Sequence, residues 1–131
     1  MNVSELIAHI NELADEFEDA ELVLQFVNDA IAKINVECDA IFPSLTLTSE
    51  EIPLPEKWIR ALLVPFGVGR IKQRDSSQFE YTDSYNEFLA NLEEFKARYE
   101  IPEEFRDPNS SSSAGYESDL FKNPTWIYGG F

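Results

Sequence analysis

His9 and Cys38 are the only histidine and the only cysteine of this chain, and they stand on different predicted elements. A thiol nucleophile needs a base beside it to take its proton, and a zinc site needs several thiolate or imidazole ligands. Cys38 has neither a second histidine nor a CxxC partner, so it reads as an inert thiol. His9, one step before Ile10 on the first predicted helix, reads as a surface or core-edge histidine. Adjacent carboxylates such as Glu50–Glu51 and Glu103–Glu104 are the pairs that acid–base chemistry uses, but a chain with 25 acids produces such neighbours by composition alone. Gly67–Val68–Gly69–Arg70 lacks the glycine spacing and the Lys-Ser/Thr ending of a phosphate loop. The DEFED stretch at 15–19 lacks the glycine and the length of a calcium loop. The expectation is a protein that is not an enzyme and needs no cofactor or metal.

Composition narrows the alternatives. At 131 residues the chain is most simply one domain, and 44% apolar with 13% aromatic residues is enough for a core. No stretch approaches the roughly 18 unbroken apolar residues of a membrane span, and the acid-containing, helically spaced start does not read as a signal peptide. One cysteine permits no internal disulfide, which fits a reducing compartment. The net charge of −15 opposes binding to nucleic-acid phosphates. That charge is uneven. Residues 1–35 carry Glu5, Glu12, Asp15, Glu16, Glu18, Asp19, Glu21 and Asp29 against Lys33 alone, whereas Lys57, Arg60, Arg70, Lys72 and Arg74 face only Asp75 in residues 57–75. Complementary patches can steer copies of a chain together or can pair within one fold, and both uses stay open.

The elements that position these groups follow from apolar spacing. Val3, Leu6, Ile7, Ile10, Leu13 and Phe17 form one helical stripe, with Ser4 as N-cap, and predict a helix near 4–17. Leu22, Val23, Phe26, Val27, Ala30, Ile31 and Ile34 predict a second near 20–35, with Asp19 and Glu21 at its positive end. Residues 36–54 contain Pro43 and Pro53 and alternate Leu45, Thr46, Leu47 and Thr48, which suggests a long loop with an extended or short-strand segment. Trp58, Ile59, Leu62, Leu63, Phe66 and Ile71 mark a third helix near 55–74, kinked at Pro65. Gly67 and Gly69 can serve the kink or let another helix approach closely. Tyr85, Phe88, Leu89, Leu92, Phe95 and Tyr99 mark a fourth helix near 80–98, closed by Ile101–Pro102. The expected fold is all-α, a small bundle of about four helices over residues 1–102.

Residues 103–131 are expected to form a linker and an extended C-terminal arm. NSSSSAG at 109–115 has no apolar side chain large enough for a core, yet the chain ends NPTWIYGGF. Large apolar groups on such a leash suit a partner, and an extended chain from Asn109 to Phe131 would reach roughly 75 Å at about 3.3 Å per residue. The alternative is that the arm folds back over its own bundle.

Residues 51–99 resemble the head–tail adaptor proteins of tailed bacteriophages, also called connector or head-completion proteins. The likeness rests on Pro53–Glu56 leading into Trp58, Leu62 and Leu63. It continues through the proline-interrupted Val64–Pro65–Phe66, Arg74–Asp75, and a last helix with Phe79, Tyr81, Tyr85 and Phe88. The ending is similar to adaptor tails with an Asn-Pro, aromatic and Gly-Gly-aromatic signature, here Asn123, Pro124, Trp126, Gly129, Gly130 and Phe131. The resemblance covers about half the chain. It implies a ring, commonly of twelve copies, below the portal at the capsid vertex. Such a ring extends the DNA channel, which DNA crosses without specific binding, and offers a platform for the stopper or tail-completion protein. The implied location is the virion, after assembly in the host cytoplasm.

On that resemblance, the arm packs on the portal protein through Pro124, Trp126, Ile127, Tyr128, Gly129, Gly130 and Phe131. Buried aromatic anchors of this kind contribute about 2 kcal/mol or more each. Lys57, Arg60, Arg70, Lys72 and Arg74 are the candidate subunit interface of the ring, meeting the acidic first half of the next copy. The competing reading is an acidic DNA-mimicking inhibitor, which the acid-rich first helices permit but which leaves the aromatic ending without a use.

Overall fold

The computed structural model describes residues 1–48, 51–74 and 78–109. Helix α1 (Val3–Ala14) and helix α2 (Ala20–Cys38) come first. A single helical run follows, made of α3 (Glu56–Trp58), a π-helical segment (Ile59–Leu63) and α4 (Val64–Arg74). Helix α5 (Gln78–Arg98) and a 3-10 turn (Glu103–Phe105) complete the described chain. Counting the run as one, these are the four helices of an all-α bundle, and among the described residues no strand forms.

The apolar stripes build the core. Val3, Leu6, Ile7 and Ile10 of α1 and Val23, Phe26, Val27, Ala30, Ile31 and Ile34 of α2 are buried. They meet Trp58, Ile59, Leu62, Leu63, Phe66 and Ile71 of the third run and Phe88, Leu92 and Phe95 of α5. Phe66 packs edge-on against Phe88 with centroids 5.0 Å apart, and Trp58 meets Phe95 at 5.2 Å. Helix α4 sits in the middle, touching α1, α2 and α5. The two glycines serve this position. A Cβ on Gly67 would lie 2.8 Å from Ile10 Cδ1 of α1, and one on Gly69 would lie 3.1 Å from Ser84 Cβ of α5. Two residues apart on a helix, they turn bare backbone toward opposite neighbours.

The break expected at Pro65 takes the form of a π segment one turn earlier. Val64 N–H donates to Ile59 O, five residues back. Pro65 has no N–H to give the carbonyl of Ala61, and the Asn91 side chain of α5 donates to that oxygen at 2.8 Å. A tertiary contact thus replaces the bond that proline removed.

Three boundaries differ from the sequence reading. Asn2, not Ser4, caps α1: its Oδ1 accepts from Glu5 N–H at 2.8 Å, while its own N–H donates to Glu5 Oε1 at 2.9 Å. Asn at this position offers the same acceptor as serine, one turn-start earlier, and Glu5 completes the box. Helix α1 ends at Ala14 rather than near 17. Asp15 enters the left-handed region (φ 56°), its N–H donating to Glu12 O and Glu16 N–H to Asn11 O, each at 3.2 Å. Ala14 carries the buried stripe in place of Leu13, and the chain turns before Phe17 reaches the core, leaving these two 53% and 96% exposed.

Residues 36–54 begin as three more residues of helix, to Cys38, and the described part continues as irregular chain, not a strand. Side chains of α2 take the place of a neighbouring strand. Asn35 accepts from Phe42 N–H and donates to Phe42 O, both at 2.9 Å, and Asn28 does the same for Leu45 at 2.8 and 3.0 Å. Seven residues apart, the two asparagines share one face of α2 and hold the returning chain like rungs. The packed region also runs past residue 102. Ala40 and Arg106 form an antiparallel bridge, Ile41 N–H donates to Phe105 O at 2.8 Å, and the Phe42 and Phe105 rings lie 5.1 Å apart.

Candidate functional site

The basic window of residues 57–75 faces the acidic first half of the same chain. Arg70 reaches Asp29 of α2 at 3.1 Å and lies over the rings of Phe66 and Phe26, 4.9 and 5.7 Å from their centroids. Arg74 pairs with Glu18 in the α1–α2 turn at 2.7 Å. Arg60 binds Glu56 one turn back at 3.0 Å, and Lys57 stands 5.0 Å from the Trp58 ring. Lys72 is half-buried further along α4. So Arg70 and Arg74 pair with acids of the first half, Arg60 pairs with Glu56 of its own run and reaches His9 of α1, and Lys57 is exposed. Exposed pairs of this kind contribute about 0–1 kcal/mol each, so they orient helices more than they hold them.

His9 lies at the rim of an open cleft of about 220 Å³ that Leu13, Val64, Pro65 and Val68 floor and Ser84 and Glu87 flank. Its Nε2 is 3.3 Å from Arg60 Nη1 and its Nδ1 is 4.0 Å from Glu12. A guanidinium can only donate, so Nε2 is the acceptor and its lone pair is spent on Arg60 rather than on a nucleophile. Among the described residues, no three or more of His, Cys, Asp and Glu gather as metal ligands. No described helix is long and apolar enough to cross a membrane.

Cys38 sits half-buried at the end of α2. Burial pushes its thiol up to about 11 from 9.0, with Glu37, Asp39 and Glu93 adding to the rise and Lys96 opposing it. Its thiolate fraction at pH 8 is therefore about 100-fold below that of an ordinary thiol. Alkylation by iodoacetamide is expected to be slow at pH 8 and to climb toward pH 11, which mass spectrometry of pH-stepped reactions would follow. Rapid labelling at pH 7 would contradict this environment.

Phe17 is the large residue that the sequence reading misplaced. Among the described large hydrophobics it is the most exposed, at 96%, and it stands in a turn that is fixed rather than loose. The buried Asn11 side chain donates to Glu18 O at 3.3 Å and accepts from Glu18 N–H at 3.2 Å. Shallow clefts open on both sides of the ring, along Ala8 and Asn11 of α1. The signal in the sequence was Asn11 itself, a poor helix former standing on an apolar face with no local reason to be there.

Pro124, Trp126, Ile127, Tyr128, Gly129, Gly130 and Phe131 lie outside the described residues, as does Glu50 of the Glu50–Glu51 pair. The described core is built from residues between Val3 and Phe95. No protein-family model, curated protein or solved structure matches this chain.

Proposed function

We propose that this protein is a structural adaptor of the phage head–tail type: a subunit that forms a ring below the portal, extends the DNA channel and joins portal to stopper or tail-completion protein. The observation that supports this reading is a small helical core among the described residues, buried from Val3 to Phe95, together with a sequence that ends, after a serine-rich stretch, on Trp126, Ile127, Tyr128 and Phe131. The likeness of residues 51–99 to adaptor proteins gives the same reading. The C-terminal residues Pro124 to Phe131 anchor on the portal, with Gly129 and Gly130 allowing close backbone approach. Repeated around a ring, a modest anchor gains avidity.

The exposed bases of the window, Lys57, Arg60 and Arg74, then serve lateral association in the ring, and Arg70 serves it through the shape it holds, since its charge meets Asp29. Net negative charge suits a channel through which DNA must slide.

The test is binding to purified portal rings by the full-length protein and by a full-length variant carrying Trp126→Ala, Tyr128→Ala and Phe131→Ala. The variant is expected to lose portal binding while its helical circular dichroism and urea midpoint stay unchanged. Equal binding of both proteins would sink the arm's role. If neither binds, and the wild type instead competes with DNA for a DNA-binding enzyme, the protein is an acidic DNA mimic.

A further inference from the structure

We propose that this chain associates head to tail with copies of itself, the Phe17 ring of one copy seated in the cleft between α1 and α5 of the next. The contact concerns the free chain and does not depend on the adaptor reading.

The ring is presented on a backbone that is already ordered. Left-handed Asp15 closes α1, and the buried Asn11 side chain binds both backbone groups of Glu18, at 3.2 and 3.3 Å. Arg74 of α4 holds the Glu18 carboxylate at 2.7 Å. Phe17 stands between these fixed points, 96% exposed. A single surface aromatic residue is ordinary. On a fixed turn, however, its side chain loses little further freedom when buried, which favours it as an anchor.

The same chain carries a receptor of matching size and polarity. Helices α1 and α5 both pack on α4, and the cleft is the gap left between them. Leu13, Val64, Pro65 and Val68 give it an apolar floor. Its volume is about 220 Å³, and a cavity of about 150 Å³ already accepts a benzene ring. The rim is charged on both sides, with Arg60 beside His9 on one and Glu87 of α5 on the other. The Phe17 turn also carries both signs. Asp15 and Asp19 lie two residues to either side of the ring, and Arg74 stands on Glu18. Charge therefore selects one seating, with the aspartates toward Arg60 and Arg74 toward Glu87.

Position on α1 decides the symmetry. Ala8 and Asn11 line the shallow clefts beside Phe17, whereas His9 and Leu13 line the receptor cleft. At 3.6 residues per turn, the two pairs point about 150° apart around the helix axis. Ring and receptor thus lie on opposite flanks of α1, and a chain does not fill its own cleft. A knob on one flank and a socket on the other join copies head to tail rather than around a two-fold axis.

One knob in one cleft falls short of the roughly 1,200–2,000 Å² that stable interfaces bury, and the net charge of −15 opposes close approach. Association is therefore weak, with a Kd of about 100 μM, and needs salt of about 0.15 M to screen charges more than about 8 Å apart.

The test is sedimentation equilibrium of full-length wild type, Phe17→Ala and Leu13→Glu from about 10 to about 500 μM at that salt. Both altered side chains are exposed, so the fold is retained, which thermal denaturation verifies. Wild type is expected to grow past a dimer as concentration rises, and each variant to associate about 30-fold more weakly. An equimolar mixture of the two variants is expected to regain association at wild-type strength and to stop at a heterodimer, because it holds one intact knob and one intact cleft. General stickiness of the chain, or repulsion from the added carboxylate, would not produce that rescue. A wild type that stays monomeric at about 500 μM overturns the inference. So does a mixture that associates no better than its components, or a variant that associates as the wild type does. A wild type that stops at a dimer overturns the head-to-tail arrangement. None of these results touches portal binding by the arm, so the adaptor reading stands or falls separately.

Discussion

Replacing Asn35 by alanine is expected to destabilise the bundle by about 2–4 kcal/mol, because two backbone groups lose their partner at once. Asn35 both accepts from the N–H and donates to the carbonyl of Phe42, and Phe42 is only 4% exposed, so water cannot readily replace either bond. The loss spreads beyond the pair. The Phe42 ring packs against Phe105, and Ile41 next to it holds the Phe105 carbonyl, so the 3-10 turn and the end of the described chain depend on the same clamp. Hydrogen exchange should show faster exchange at Phe42, Ile41 and Asp107 in Asn35→Ala, with the α5 amides little changed below the global unfolding limit. Asn35→Asp separates the two bonds, since a carboxylate still accepts from Phe42 N–H but has nothing to donate to its carbonyl. A loss in that variant close to the alanine value would assign most of the energy to the carbonyl. A urea midpoint unchanged in Asn35→Ala would show that the clamp contributes nothing net.

Gly67→Val is expected to destabilise by about 3 kcal/mol, and Gly67→Ala by about 1–2 kcal/mol despite the better helix propensity of alanine. The reason is the α1–α4 crossing. A Cβ at 67 would meet Ile10 Cδ1 at 2.8 Å, Cγ2 at 3.2 Å and Cγ1 at 3.4 Å, and Ile10 is fully buried. Turning χ2 would move Cδ1 away but leave Cγ2 at 3.2 Å, and a change of χ1 would push the fully buried Ile10 side chain into other core atoms. Shortening Ile10 to valine removes the nearest atom, so the double variant Ile10→Val with Gly67→Ala should be more stable than the sum of the single losses by about 1 kcal/mol. Additive losses would mean that α1 moves away as a body. Gly69 gives the corresponding comparison on the other side of α4, where the nearest atom is Ser84 Cβ at 3.1 Å.

The four helices were legible in the residues because each buries one continuous stripe, and period 3.6 is visible without any knowledge of neighbours. Trp58, Ile59, Leu62, Leu63, Phe66 and Ile71 are buried as their spacing requires. That Pro65 would disturb its helix followed from its missing N–H. Where the disturbance went did not, because the π segment and the bond from Asn91 need α5 in place.

The same division holds for the charges. The residues alone show that acids crowd residues 1–35, that bases crowd residues 57–75, and that an aromatic ending follows a serine-rich stretch. Folding brings Arg70 and Arg74 to Asp29 and Glu18 of the same chain, ties Arg60 to Glu56 of its own run and leaves Lys57 exposed. It also decided that Phe17, on the stripe by spacing, stands in solvent. A helical pattern assumes that the helix continues, and α1 stops because Asn11 reaches forward seven residues to hold Glu18. Such side-chain-to-backbone bonds between segments leave no periodic trace, so spacing carries the core and the folded chain alone decides its clamps, its turns and what those turns present.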